Sequence, residues 1–479
     1  MAGDSSIRTE TPGMSGRGHG EPDPHLVTLP HRRAWAMPAP PEVEARPEAT
    51  AVPQGGGASL AKTYAVLAAL LVALMIGFSA GPVANAVTCK KNKDYTLWYQ
   101  TGRFTLRGAD IYPKDDRPFP FMYPPSCAAL LAPGSVVGEV PFVLGLTLIN
   151  SAAWLAAILL SVDLATGRAW RQDPLLYLAP TLCVLPFVND TFLLGQPNLL
   201  LLALMLGACA CLRRHRQGCA GVLIALAAAI KAFPVMAVGY LVYRRCWKAV
   251  AAVVVAMALL LLVLPMAFRG PGRALDDLTT WTRGMVLKYD ADAIAQRPMR
   301  CYSFKNQSLM AIANRLLRTI PADGEADKSW KVNVADLDFR TINALIVATG
   351  LGLCGFYLAS MPRRGRRTDR TDAIEWGMLL LLILIFSPLS FNYFYVWLLY
   401  PLALVLNLVL SVRGAPDGRV VKPVLIACLA ANVVLLALAI PFRREAQAYG
   451  NLFFASLLLL VGLGWGMRRM ADPTSALAS

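Results

Sequence analysis

The sequence predicts an all-α polytopic membrane protein of about 12 membrane segments, and three observations carry that expectation. Of 479 residues, 56% are hydrophobic and only 16% charged, with mean hydropathy +0.49, which is too apolar for a soluble multidomain chain. Apolar runs of about 20 residues recur, the length a helix needs to cross a hydrocarbon core of roughly 30 Å at about 1.5 Å per residue. Basic residues gather at the ends of those runs, as in "RRHR" from Arg213, "RRCWK" from Arg244, "RRGRR" from Arg363, and Arg468 with Arg469. That is the positive-inside pattern.

The net charge of +16 does not indicate nucleic acid, because the cations are not collected on one domain with interleaved aromatics. Residues 1–59, rich in Pro, Gly, Glu and Arg, read as a disordered cytoplasmic tail. The run Leu60 to Ala80 ends near "VANAV", which resembles a cleavage site. The long charged stretch before it favours an uncleaved signal anchor.

Further spans are expected at Pro141 to Ala165, Leu175 to Val188, Pro197 to Leu212 and Lys248 to Phe268. The second half adds Thr341 to Ala359, Ile374 to Ser387, Tyr393 to Val412, Lys422 to Ile440 and Leu452 to Met467. The membrane domain thus covers residues 60–470, with a short cytoplasmic tail at 471–479. Two long polar segments, 81–140 and 269–340, are expected outside, carrying amphipathic helices.

"GVLIALAAAIKAFPVMAVGYLVYRR", from Gly221 to Arg245, decides the topology. A single crossing would put Arg244 and Arg245 outside and invert every later loop, against the charge pattern. A hairpin turning near "KAFP" has arms of about 13 residues, each reaching about 20 Å, and keeps all the basic clusters inside. Pro234 favours the turn by removing a backbone donor and disfavouring helix at Phe233. Lys231 then lies at the apex, below the outer surface. An ammonium there marks a substrate or ion site by default, the alternative being a lysine that snorkels to the interface.

All four histidines, His19, His25, His31 and His215, fall in the tail or a cytoplasmic loop, so an outer-side base must be a carboxylate. Asp94 follows the first span closely. Asp110, Asp115 and Asp116 are equally eligible by chemistry, and a solvated loop carboxylate is the plain alternative for each. "NDTFLLGQPNLLL" offers Asp190 with the amides of Gln196 and Asn198, which suit sugar hydroxyls, while Asn189 or Asp190 also suits helix capping. "RCYSFKNQSLMAIANRLLR" offers Arg300, Lys305 and Arg315 as cations for a phosphate. The same stretch reads as an amphipathic helix on the membrane surface, with Leu309, Ile312, Ala313 and Leu316 on one face. Ten cysteines form no C-x-x-C pair; Cys89, Cys127 and Cys301 fall in outer segments, where a disulfide is chemically allowed.

These stretches together resemble glycosyltransferase family 87, polyprenyl-phosphate-sugar-dependent enzymes of the GT-C class that include mannosyltransferases and arabinosyltransferases. The resemblance rests on Asp94 with Tyr95 and Tyr99, on "RGADIYP", and on "FMYPP", which contains Tyr123. It continues through "GQPN", "AAAIKAFP", "NQSL" (Asn306, Gln307) with Arg315, and "FSPLS". It implies a GT-C-type bundle in the inner membrane that moves a sugar, mannose the first guess, from a polyprenyl-phosphate donor to a lipid or glycan hydroxyl outside. Asp94 would be the base. Family members often carry histidine after "SPLS"; here "FNYFYVW" follows, so Asn392 or Tyr393 would take its place. Direct displacement by the acceptor, with Lys231 balancing the leaving phosphate, inverts the anomeric centre.

No cofactor is required, although Asp94 with Asp190 could hold a divalent metal. The rival readings are a lipid or sugar transporter, which would also use broken helices around a buried ion, and a non-catalytic assembly subunit of the same fold.

Overall fold

The computed structural model describes residues 57–115, 118–167, 172–297, 301–324, 326–411 and 418–471. Both expected tails lie essentially outside these residues, although helix begins at Gly57, slightly before the expected boundary. Arg300 and Asp116 also fall outside them. Within the described residues the chain is helical, with one isolated bridge, Tyr289 to Ile294, as its only β pairing.

Helix α1 is Gly57–Val87, α2 Lys93–Arg107, α3 Glu139–Thr166, α4 Pro174–Leu194, α5 Asn198–Arg213, α6 Gln217–Ile230 and α7 Ala237–Tyr243. Then come α8 Trp247–Arg269, α9 Pro271–Trp281, α10 Leu309–Leu317, α11 Phe339–Ser360 and α12 Asp369–Phe386, followed by α13 Asn392–Ser411, α14 Gly418–Ala437 and α15 Asn451–Ala471. Among the described residues seven helices are long and apolar enough to cross a membrane: α1, α3, α4, α8, α11, α13 and α15. The arms of the expected hairpin, α5 and most of α14 are apolar but shorter.

Burial sorts these helices into layers. Val66, Leu70, Val72 and Ile76 of α1 are exposed, as are Val254, Val255 and Leu259 of α8 and Val347 and Leu351 of α11. Such apolar outer faces suit lipid, not water. In contrast α12 is buried on every side from Ala373 to Ile385, as expected of a helix that is hydrophobic all round and central. Thr368 and Thr371 close its first turn in a reciprocal cap.

The polar segments hold three amphipathic helices, α2, α9 and α10. For α10 the membrane-surface reading is corrected: Leu309 and Ile312 are buried in the protein core, and Ile312 lies against Gly450 at the start of α15. Cys89, Cys127 and Cys301 are each free thiols.

Candidate active site

The site is organised by "GQPN". Helix α4 ends at Gly195, which takes φ +73°, a left-handed conformation that side chains rarely adopt. A Cβ on Gly195 would also lie 2.8 Å from the Tyr95 ring, so this glycine meets both a backbone and a packing requirement. The Gln196 N–H donates to the Thr191 carbonyl at 2.9 Å, which completes the helix end, and Pro197 leads into α5 at Asn198. Gln196 and Asn198, on either side of Pro197, are both buried.

Three elements converge on the Gln196 amide. Its Nε2 donates to Asp94 Oδ2. Its Oε1 accepts from Tyr123 at 2.9 Å and from Lys231 Nζ at 3.3 Å. Asn150 of α3 secures its main-chain carbonyl at 3.2 Å.

Asp94 sits in the first turn of α2, where the helix N-terminus favours negative charge. The turn into α2 is strained, with Cys89 and Lys93 both at positive φ, and buried Asn92 anchors it by donating to the Pro82 carbonyl at 2.6 Å. Thr96 donates to Glu139 at 2.9 Å and Tyr95 to the Phe192 carbonyl at 2.9 Å, so α2 is tied to α3 and α4. Burial pushes the Asp94 carboxyl above its ordinary value, against the Gln196 hydrogen bond and the facing cations Lys231, Arg297 and Lys93.

Lys231 ends α6 in extended backbone (φ −152°), three residues before Pro234, so the break expected near "KAFP" falls at the lysine itself. Its ammonium lies 3.9 Å from the Phe394 ring centre, 5.2 Å from Tyr393, 5.4 Å from Tyr123 and 6.0 Å from Phe233. Asn198 Oδ1 accepts from it at 3.4 Å. Among the described residues Lys231 has no carboxylate within ion-pair distance; aromatic faces and amide oxygens surround it instead. The Asn198 Nδ2 group is buried without a hydrogen-bond partner.

Asp94, Tyr123, Gln196, Asn198, Lys231 and Tyr393 therefore form one cluster. Tyr95 packs its ring against Gly195, next to the cluster. Tyr99 faces elsewhere, against Phe142 and Arg103. Asp190 accepts from Arg443 at 3.0 Å and from Asn392 at 3.4 Å, and Asn392 in turn accepts from Gln447. Asp190 is thus committed to an ion pair, and no group of three or more metal-ligating side chains occurs among the described residues. Asp110 is exposed and paired with Arg273 and Lys114, and Asp115 is also exposed.

The expectation for the second long polar segment needs correction. Arg315 is wholly buried, and its guanidinium donates to the carbonyls of Ala448, Tyr302, Ser303, Asn306 and Gln447. It braces main chain and presents no donor to a phosphate. Asn306 ties this segment to "SPLS" by donating to Pro388 and accepting from Ser390 N–H, and Gln307 donates to Phe304 and Gln447 carbonyls. Lys305 is exposed beside Phe304. Sequence reasoning missed Arg297, which faces Asp94 electrostatically, and Phe394, the aromatic ring nearest Lys231. Position after "FNY" was the only signal for Phe394, and Arg297 gave none beyond being a cation in a long polar segment.

Fold and site together define a multi-pass helical membrane protein with a polar, aromatic-lined cluster between its helices. Residues 121–388, more than half the chain, match the model of glycosyltransferase family 87, and the chain belongs to that family. It is a membrane glycosyltransferase. The match includes Gln196, Asn198 and Lys231, whereas Asp94 and Tyr393 lie beyond its ends. No curated protein and no solved structure was found to match.

Proposed function

We propose that the protein transfers a sugar, mannose first among candidates, from a polyprenyl-phosphate donor to a hydroxyl of a lipid or glycan acceptor, on the extracytoplasmic side of the inner membrane. The observation that carries this reading is the convergence of Asp94 and Lys231 on the Gln196 amide. A carboxylate of raised proton affinity beside a cation lacking a carboxylate partner suits a reaction in which a proton is removed at one point and negative charge develops at another.

In the proposed step, the acceptor hydroxyl gives its proton to Asp94 as its oxygen bonds to the anomeric carbon. The bond from that carbon to the phosphate oxygen breaks, and polyprenyl phosphate leaves with its charge balanced by Lys231. Attack from the face opposite the phosphate inverts the centre. Gln196 and the unpartnered Asn198 Nδ2 supply hydrogen bonds for sugar hydroxyls. Arg297 adds positive potential on the Asp94 side.

The test is transfer by the purified protein in lipid nanodiscs, with a panel of radiolabelled polyprenyl-phosphate sugars and envelope lipid extract as acceptor. Transfer from one donor, lost in Asp94→Asn, is the expected result. Folded wild-type protein that transfers from none of them, or that moves labelled donor across a bilayer without transfer, would overturn the proposal.

A further inference from the structure

The basic clusters that the sequence places at helix ends are not used by this chemistry, yet three of them meet around one cavity of about 500 Å³. Arg213 and His215 reach it from the end of α5, Arg244 and Arg245 from the end of α7, and Arg364 and Arg367 from the segment before α12. The cavity lies at the opposite end of the helix pair from the Asp94 cluster. Helix α5 runs from Asn198 at that cluster to Arg213 here, about 24 Å at the helical rise, and α6 returns from Gln217 here to Ile230, next to Lys231.

Two aspartates also line the cavity, and each is already engaged: Asp369 with Arg213 at 3.3 Å and Asp372 with Arg367 at 2.8 Å. Arg244 is buried and pairs with buried Glu375 of α12. Arg245 and Arg364 are exposed and have no ion pair among the described residues, so the wall keeps positive charge that no described carboxylate balances. Leu212, Tyr240 and Trp376 supply an apolar side to the same space. A ring of guanidinium groups matches phosphate oxygens in geometry and charge, and a neighbouring apolar wall matches a ligand that carries hydrocarbon as well.

We propose that this cavity binds a phosphate-bearing headgroup of an anionic membrane lipid, at the end of the bundle remote from the Asp94 cluster. The size suits a headgroup, and basic pockets between membrane helices bind such groups. The site is separate from the transfer chemistry and stands whether or not that reading holds.

The test uses the full-length chain purified in detergent, with retained lipid read by native mass spectrometry. Phosphatidic acid and phosphatidylcholine are the lipid probes, inorganic phosphate is the soluble competitor, and Arg245→Ala with Arg364→Ala is the variant. Both substituted side chains are exposed, and monodisperse elution of the variant checks its fold. Retention of phosphatidic acid over phosphatidylcholine, reduced about tenfold or more in the double variant, supports the lipid headgroup. Displacement of phosphatidic acid by inorganic phosphate at equal concentration supports the phosphate site but assigns it to a soluble ligand. Equal retention of the two lipids, or retention unchanged in the double variant, overturns the proposal.

Discussion

Asp94 and Lys231 are held at the two ends of one amide: Gln196 donates to the Asp94 carboxylate and accepts from the Lys231 ammonium at 3.3 Å. The two ionisable groups come from segments more than a hundred residues apart, and neither has an ion-pair partner among the described residues. If Asp94 is the base, Asp94→Asn should lower kcat by about 10²–10⁴-fold while donor binding changes little. Steady-state kinetics in nanodiscs checks this. Loss of donor binding with kcat intact would assign Asp94 to recognition instead.

The direction of the Asp94 shift fixes the pH dependence. Because burial raises its pKa, the activity of the wild type should climb with pH through a value above that of an ordinary aspartate, and Gln196→Ala should move that limb higher still. Stability should run the other way. Below the unfolded-state pKa both states are protonated; as pH rises through the folded-state value, the buried carboxyl ionises and the folded state loses stability. Asp94→Asn should therefore melt above wild type, with a gap that widens with pH. Thermal unfolding at several pH values reads it, and a gap of opposite sign would show that the fold stabilises the carboxylate.

Gly195→Ala should destabilise the protein by about 1–3 kcal/mol and reduce transfer, since it strains φ +73° and presses a methyl group against Tyr95. Tyr95→Leu in the same background should restore part of the packing loss but none of the backbone strain. A double-mutant cycle on unfolding free energies separates the two contributions.

Much of the fold was legible because apolar run length and charge placement are local signals. The break at "KAFP" was visible through Pro234, and "GQPN" carried its own turn chemistry in Gly195 and Pro197. Asp94, Gln196 and Lys231 could each be named from the sequence, but not that the Gln196 amide joins the other two, because side-chain amides leave no periodic trace. Arg315 was misread for a related reason. A cation in a polar segment looks available until tertiary structure brings five carbonyls to it, and those carbonyls belong to two separate stretches of chain, Tyr302 to Asn306 and Gln447 to Ala448. Likewise the pairing of Arg244 with Glu375 joins two helices whose charges appear unconnected in the sequence.

The bracing role makes a distinct prediction. Arg315→Met should leave buried carbonyls unsatisfied and cost about 3 kcal/mol or more in stability, while donor KM of the folded fraction stays within about twofold of wild type. A large rise in KM with normal stability would return Arg315 to phosphate binding.

Lys231→Met should raise donor KM steeply, and Lys231→Arg should restore little of it, because the planar guanidinium does not fit among rings placed 3.9 to 6.0 Å from a compact ammonium. The most direct measurement of the whole account is an experimental structure with a polyprenyl-phosphate sugar bound. The expected result is a phosphate oxygen within about 3.3 Å of Lys231 Nζ and the anomeric carbon open to attack from the Asp94 side. A donor phosphate seated at the arginine-lined cavity instead, or a sugar shut off from Asp94 by protein, would contradict it.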